Sequence, residues 1–195
     1  MVDGYPTLNP MDKRFLNAFL TPKSTILLGK RLLPWCLKHR IQLTALDNPL
    51  AIGGEVRPFD LLVFARVCSE ERFRIEPTFG ERWRLRSLGT VSGLTDAIVE
   101  AKAHMKQDDW PRFWEKSESV SAGDRMHGIP WALSVIANLV RHGVSHDEAL
   151  HLPEAYAIWL STALGVHEGA KVDILTTDQE EMLDGLAGVG NDPQT

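Results

Sequence analysis

Cysteine is scarce in this chain of 195 residues: Cys36 and Cys68 are the two it has, both in apolar surroundings and without CxxC spacing. That argues against a disulfide framework or a thiolate metal site, and both thiols read as reduced and buried, as suits a cytosolic protein. Long apolar runs are missing too. None reaches the roughly 18 residues of a membrane span, and no basic-then-apolar leader opens at Met1, so a soluble, cytoplasmic protein without membrane contact is expected. Charge of one sign is also in short supply. The 21 Lys and Arg residues are interspersed with 26 Asp and Glu for a formal net charge of −5, so nucleic acid is not the expected partner. Neither GxGxxG nor GxxxxGK[ST] occurs, which leaves Gly53-Gly54 as a turn. HExxH and GxSxG are likewise absent, and neither cysteine sits in a nucleophile context. No cofactor, metal or catalytic group is therefore assigned.

What is present is apolar residue at helical spacing. A hydrophobic content of 44% is enough to bury a real core. The clearest stretch is Gly128 to Gly169. Pro130 suits a first helical turn, the apolar run Trp131 to Val140 follows, and Arg141-His142-Gly143 marks a helix end. Ser145 and Glu148 have capping-box spacing, so a short helix begins near His146 and stops before Pro153. A third helix, Glu154 to about His167, carries apolar residues on more than one face, as in a core helix or one pressed against a partner. Gly143 separates His142 from His146, so these two and His151 fall at helix ends and do not converge on a metal; His127 and His167 are read as surface groups.

Upstream, Met11 to Leu20 forms a short amphipathic piece among prolines. Pro34 divides the apolar pattern of Thr25 to Asp47 into two pieces. Helices are expected at Phe59 to Cys68 and Thr95 to Lys106. Between them, Arg72, Arg74, Arg82, Arg84 and Arg86 alternate in places with apolar residues, which reads as a hairpin around Pro77 to Gly80. Its arginines either contact phosphate or pair with Glu70, Glu71, Glu76 and Glu81, and the second is the expectation because the local charge nearly balances. A short helix over Thr177 to Leu186 ends the pattern.

The expected fold is mainly α: a single helical domain of about six to eight helices with one short β-hairpin near residues 72–86. Its parts are an N-terminal arm (1–24), an N-terminal helical half (25–107), a linker or surface excursion (108–127), a C-terminal helical half packing on the first (128–187) and a flexible tail (188–195). Trp110 and Trp114 stand at the edge of the linker, where aromatics either cap a core or anchor a partner.

Two segments carry a resemblance. Gly143, Val144, Ser145, Asp147, Glu148, Ala149, Leu150, Leu152 and Pro153, followed by Ala155, Ala157, Ala163 and Gly169, form a turn-and-helix feeding an Ala-rich helix. This resembles the C-terminal segment of small proteins encoded among the tail genes of tailed bacteriophages. Leu28, Gly29, Arg31, Leu33, Pro34, Trp35, Leu37, His39 and Pro49 resemble a second segment of the same proteins. The resemblance covers roughly half the chain and implies a tail-assembly chaperone or related virion-assembly protein with no catalytic residues. Its client would be a helical tape-measure protein, met in the host cytoplasm; homo-oligomerisation is also open. A connector or tail-completion subunit is the alternative. In this reading Ala155, Ala157 and Ala163 would let a partner backbone approach while Trp131, Trp159 and Leu160 supply contact area, unless all six simply fill the protein's own core.

Overall fold

Pro34 does divide the first apolar stretch, but a hairpin and not a helix precedes it. Ile26–Leu27 (β1) pairs antiparallel with Lys30–Arg31 (β2) in the register Ile26↔Arg31, Leu27↔Lys30. The two loop residues Leu28 and Gly29 both have positive φ, 48° and 70°, as a type I′ turn requires. Glycine at the second also leaves room for a neighbour: the Arg84 guanidinium lies where a Cβ would stand and would have to swing aside for one, and its Nη1 donates to the Leu28 carbonyl at 2.8 Å.

The computed structural model describes residues 13–20, 25–71, 74, 76–106, 109–113, 130–172, 174, 175, 179 and 182. It is mainly helical, with nine helices among the described residues: α1 (Lys13–Phe19), α2 (Leu37–Ala45), α3 (Pro49–Ile52), α4 (Pro58–Cys68), α5 (Phe79–Ser87), α6 (Val91–Met105), α7 (Trp131–Arg141), α8 (His146–His151) and α9 (Glu154–His167). A second two-stranded ribbon joins β3 (Arg112–Phe113) to β4 (Ile174–Leu175). None of the helices among the described residues is long and apolar enough to cross a membrane. Most of the expected linker, from 114 to 127, lies outside the described residues, as do the expected terminal helix, apart from 179 and 182, and the tail.

Local chemistry sets the helix starts. Asn48 Oδ1 accepts the Leu50 N–H at 3.0 Å to open α3, and Asp60 accepts the Arg57 N–H at 2.8 Å to open α4. Ser145 accepts the Glu148 N–H at 3.2 Å, as its spacing predicts. The hairpin expected near residues 72–86 does not form among the described residues; residues 79–87 are α5. Thr78 Oγ1 accepts the Glu81 N–H and Glu81 accepts the Thr78 N–H, a reciprocal cap that outweighs the short alternation of Trp83 and Leu85.

Three apolar clusters form the interior. The first gathers Leu27, Leu32, Trp35, Leu43, Leu61, Phe64, Ala65, Cys68, Ala101 and Met105. A second comprises Leu37, Ala132, Ile136, Leu139, Ala149 and Ala157. In the third, Ala18, Ala155 and Trp159 meet Phe15, Trp110 and Ile174. Helix α2 serves two of them, sending Leu43 into the first and Leu37 and Ile41 into the second. Burying one such Leu or Phe contributes about 1.5–3 kcal/mol, so α2 ties the early helices to α7–α9 through dispersion and exclusion of water.

Candidate protein-contact site

Among the aromatic residues singled out from the sequence, two surround a buried cation. Arg40 of α2 reaches across to Glu154 at the start of α9, with Nη2 to Oε1 at 2.7 Å and Nε to Oε2 at 2.9 Å, and Nη1 donates to the Ala51 carbonyl at 3.2 Å. Both side chains are buried. The guanidinium carbon lies 5.2 Å from the Trp35 ring centre and 5.6 Å from those of Trp110 and Trp131. Trp110 and Trp131 meet edge to face at 5.2 Å. Burial raises the Glu154 pKa and the Arg40 hydrogen bond and charge oppose that rise. The two tryptophans thus brace a structural ion pair, although Trp131 keeps an exposed edge. Trp114 lies outside the described residues.

Helix α9 explains its own composition. Its Ala155 and Trp159 face α1, where Phe15 packs edge to face on Trp159 at 5.5 Å and Phe19 on Tyr156 at 4.5 Å. Ala157, Leu160 and Leu164 face α7. The Trp159 indole N–H donates to the Asp109 carbonyl at 2.9 Å. Ala155, Ala157 and Trp159 are therefore covered by the protein's own helices and offer a partner no surface, whereas Leu160 is half-buried and Ala163 is exposed. This half also presents open apolar surface on another helix. On α7, Leu133 (45% exposed), Ala137 and Val140 (40%) recur at helical spacing next to the buried stripe Ala132, Ile136 and Leu139.

A second open face belongs to α5. Three of the four carboxylates expected to neutralise its arginines are engaged elsewhere: Glu81 is buried and accepts Arg66 Nε and Nη2 at 3.0 and 2.7 Å with Lys30 at 3.1 Å, Glu71 accepts Lys30 at 2.5 Å, and Glu70 accepts Lys38 at 2.7 Å; the fourth, Glu76, is exposed. The Arg66 hydrogen bonds hold the Glu81 carboxyl well below the usual carboxylate range. Arg66 further donates to the carbonyls of Arg74 and Glu76, anchoring the approach to α5. Among the described residues, Arg82 and Arg86 have no carboxylate partner; Arg82 Nε donates to the Pro77 carbonyl at 3.2 Å. On the same side of α5 stand Phe79, 86% exposed, and Trp83, 68% exposed.

The histidines at the ends of α7 and α8 do not converge. His142 Nδ1 lies 2.8 Å from the Asn138 carbonyl and Nε2 3.2 Å from Glu168, while His151 Nδ1 lies 2.7 Å from the Asp147 carbonyl. No group of three or more potential ligands among the described residues is arranged to hold a metal. His127 is outside the described residues. Cys36 and Cys68 are free and buried, and burial raises both thiol pKa values, away from thiolate chemistry. A cleft of about 560 Å³ beside α2 is lined by Lys38, Gln42, Leu46, Val67 and Glu70 among others, and its Lys38 and Glu70 are already paired with each other.

No protein-family model, curated protein or solved structure matches the chain.

The candidate site therefore rests on its geometry. Sequence reasoning named Trp131 and Ala163, which keep surface, but it passed over Leu133, Val140, Phe79 and Trp83 as contact residues. For α5 a signal existed: Thr78 and Glu81 have the spacing of a capping box, and a helix begun there places Phe79, Arg82, Trp83 and Arg86 on one side. Nothing local in the sequence foretells the pairing of Arg40 with Glu154.

Proposed function

We propose that this chain acts by protein contact and not by chemistry, as a virion-assembly factor of a tailed bacteriophage. Its specific role in this reading is that of a tail-assembly chaperone for a helical tape-measure-type client, working in the host cytoplasm. The observation that carries the proposal is the exposed apolar stripe Leu133, Ala137 and Val140 on α7. Such a stripe is the complement of an amphipathic client helix, which would lay its own apolar residues there until the tail tube covers them. The segment from Gly143 to Gly169 that resembles phage tail-gene products supplies α9, the helix that packs on the buried side of α7.

The test is co-expression with the very long helical reading frame encoded next to it. Capture of that product, weakened by Leu133→Glu/Val140→Glu while the melting temperature holds, together with absence of the chain from finished particles, is the expected result. A stoichiometric band in mature particles would replace the chaperone by a connector or tail-completion subunit. Failure to capture any tail product would remove the phage reading.

A further inference from the structure

The α5 face asks for a partner of its own. At about 100° per residue, Arg82, Arg86, Phe79 and Trp83 fall within an arc of about 100°, while Glu81, Leu85 and Leu88 occupy the opposite side and turn inward. The helix is held from behind by the Arg66–Glu81–Lys30 cluster and by Arg84 latched onto the β1–β2 turn. Its outer face is thus presented by a fixed element, not by a frayed one. Two large aromatics one turn apart in solvent cost favourable apolar burial, and neither makes an aromatic contact with another ring of the described residues.

We infer that this face docks an acidic amphipathic helix of a protein partner, whose carboxylates meet Arg82 and Arg86 while its apolar residues cover Phe79 and Trp83. The inference deepens the protein-contact reading above by naming the chemistry of one bound segment. Charge complementarity selects the occupant: Glu70, Glu71 and Glu81 are committed to Lys38, Lys30 and Arg66, and among the described residues Arg82 and Arg86 have no carboxylate partner, so an acidic segment is the complement of this face. A second copy docked face to face would bring arginines against arginines. A nucleic acid would meet a chain of formal charge −5, and the two arginines of this face neutralise too few phosphates to offset that repulsion along a polyanion. Phe and Trp together cover about 300–500 Å², well short of the roughly 1,000 Å² of a stable interface, so the docking is transient or part of a larger contact.

The experiment uses the full chain and fluorescence polarisation of a labelled synthetic peptide, helical, with glutamates along one face and leucine and phenylalanine along the other. Controls are the same peptide with lysine for glutamate and a labelled oligothymidylate. Saturable binding of the acidic peptide is expected, weakened about tenfold or more by Phe79→Ala/Trp83→Ala and by Arg82→Glu/Arg86→Glu, with unchanged melting temperatures. The lysine peptide should bind the charge-reversed variant in preference to the wild type. Absence of binding by the acidic peptide, or binding indifferent to both variants, overturns the inference, as does tighter binding of the oligothymidylate with the same dependence on the variants. If the α5 variants still capture the co-expressed tail product as the wild type does, α5 is not its docking face and the chaperone reading stands. Variant-sensitive peptide binding without capture of the tail product leaves the α5 assignment standing and removes the chaperone.

Discussion

Arg40→Ala should be among the most damaging single truncations this fold can suffer, and its cost follows from what the guanidinium touches. It makes two charge-assisted bonds to Glu154 and one to the Ala51 carbonyl, with 6% of the Arg40 side chain and 0% of the Glu154 side chain exposed. Deleting one member of a buried pair leaves the other charge without compensation, which costs about 3–5 kcal/mol. The cavity left among Trp35, Trp110 and Trp131 adds to this. The loss has a pH signature. Burial already raises the Glu154 pKa against the pull of Arg40; with Arg40 gone the folded-state value rises further above the unfolded one. The folded variant then holds a proton the unfolded chain releases, so its stability falls as pH rises above the ordinary carboxylate range. Urea titrations of Arg40→Ala at pH 5 and pH 8 should show the larger deficit at pH 8. The double variant Arg40→Met/Glu154→Leu, which removes both charges and restores volume, should recover much of the loss. If Arg40→Ala lies within about 1 kcal/mol of wild type, or if the double variant is no better than the single, the pair is not the buried ionic contact described.

His39 gives a second pH effect. Buried with neither ring nitrogen hydrogen-bonded, it has a pKa lowered by desolvation from 6.5 to about 4, with Glu70 opposing and Lys38, His104 and His151 lowering it further. Its stability contribution is complete above pH 6.5 and is lost as pH falls towards 4, about 3 kcal/mol in all and about 2 kcal/mol by pH 5. Thermal melts from pH 7 to 4 should show a shallower decline for His39→Leu than for wild type; equal declines would refute this. Gly29→Ala should cost about 1–2 kcal/mol in chemical denaturation, from the positive φ of 70° and displacement of the Arg84 guanidinium. Arg84→Ala in the Gly29→Ala background should then add almost nothing.

The helices of the second half were legible because their boundaries are written locally. Pro130, the Ser145 cap and Pro153 act on their immediate neighbours, and α7, α8 and α9 begin and end where those residues place them. The β1–β2 hairpin was less so: Leu28-Gly29 is an unusual type I′ pair, since leucine resists positive φ and is held there by packing against the first cluster. Helix α5 was misread because alternation over a few residues imitates a strand while its cap signal lies just upstream. The division between core and contact residues is not local at all. Trp159 and Leu133 are both apolar residues on apolar helices; Trp159 is covered because α1 arrives from far along the chain, and Leu133 is not.

The Arg40–Glu154 bond also carries a consequence for the order of events at the ribosome. Its partners are 114 residues apart. At about 5–20 residues per second, Arg40 emerges on the order of ten seconds before its carboxylate is made. Leu43, Leu61, Phe64 and Met105 can gather in that interval, because all are already synthesised, and Arg40 can already meet Trp35 and the Ala51 carbonyl, but Leu37 still lacks its α7–α9 neighbours. The nascent chain therefore waits with one finished cluster and one open seam, and the arrival of Glu154, whose N–H also bonds the Trp35 carbonyl at 3.0 Å, is the event that shuts it.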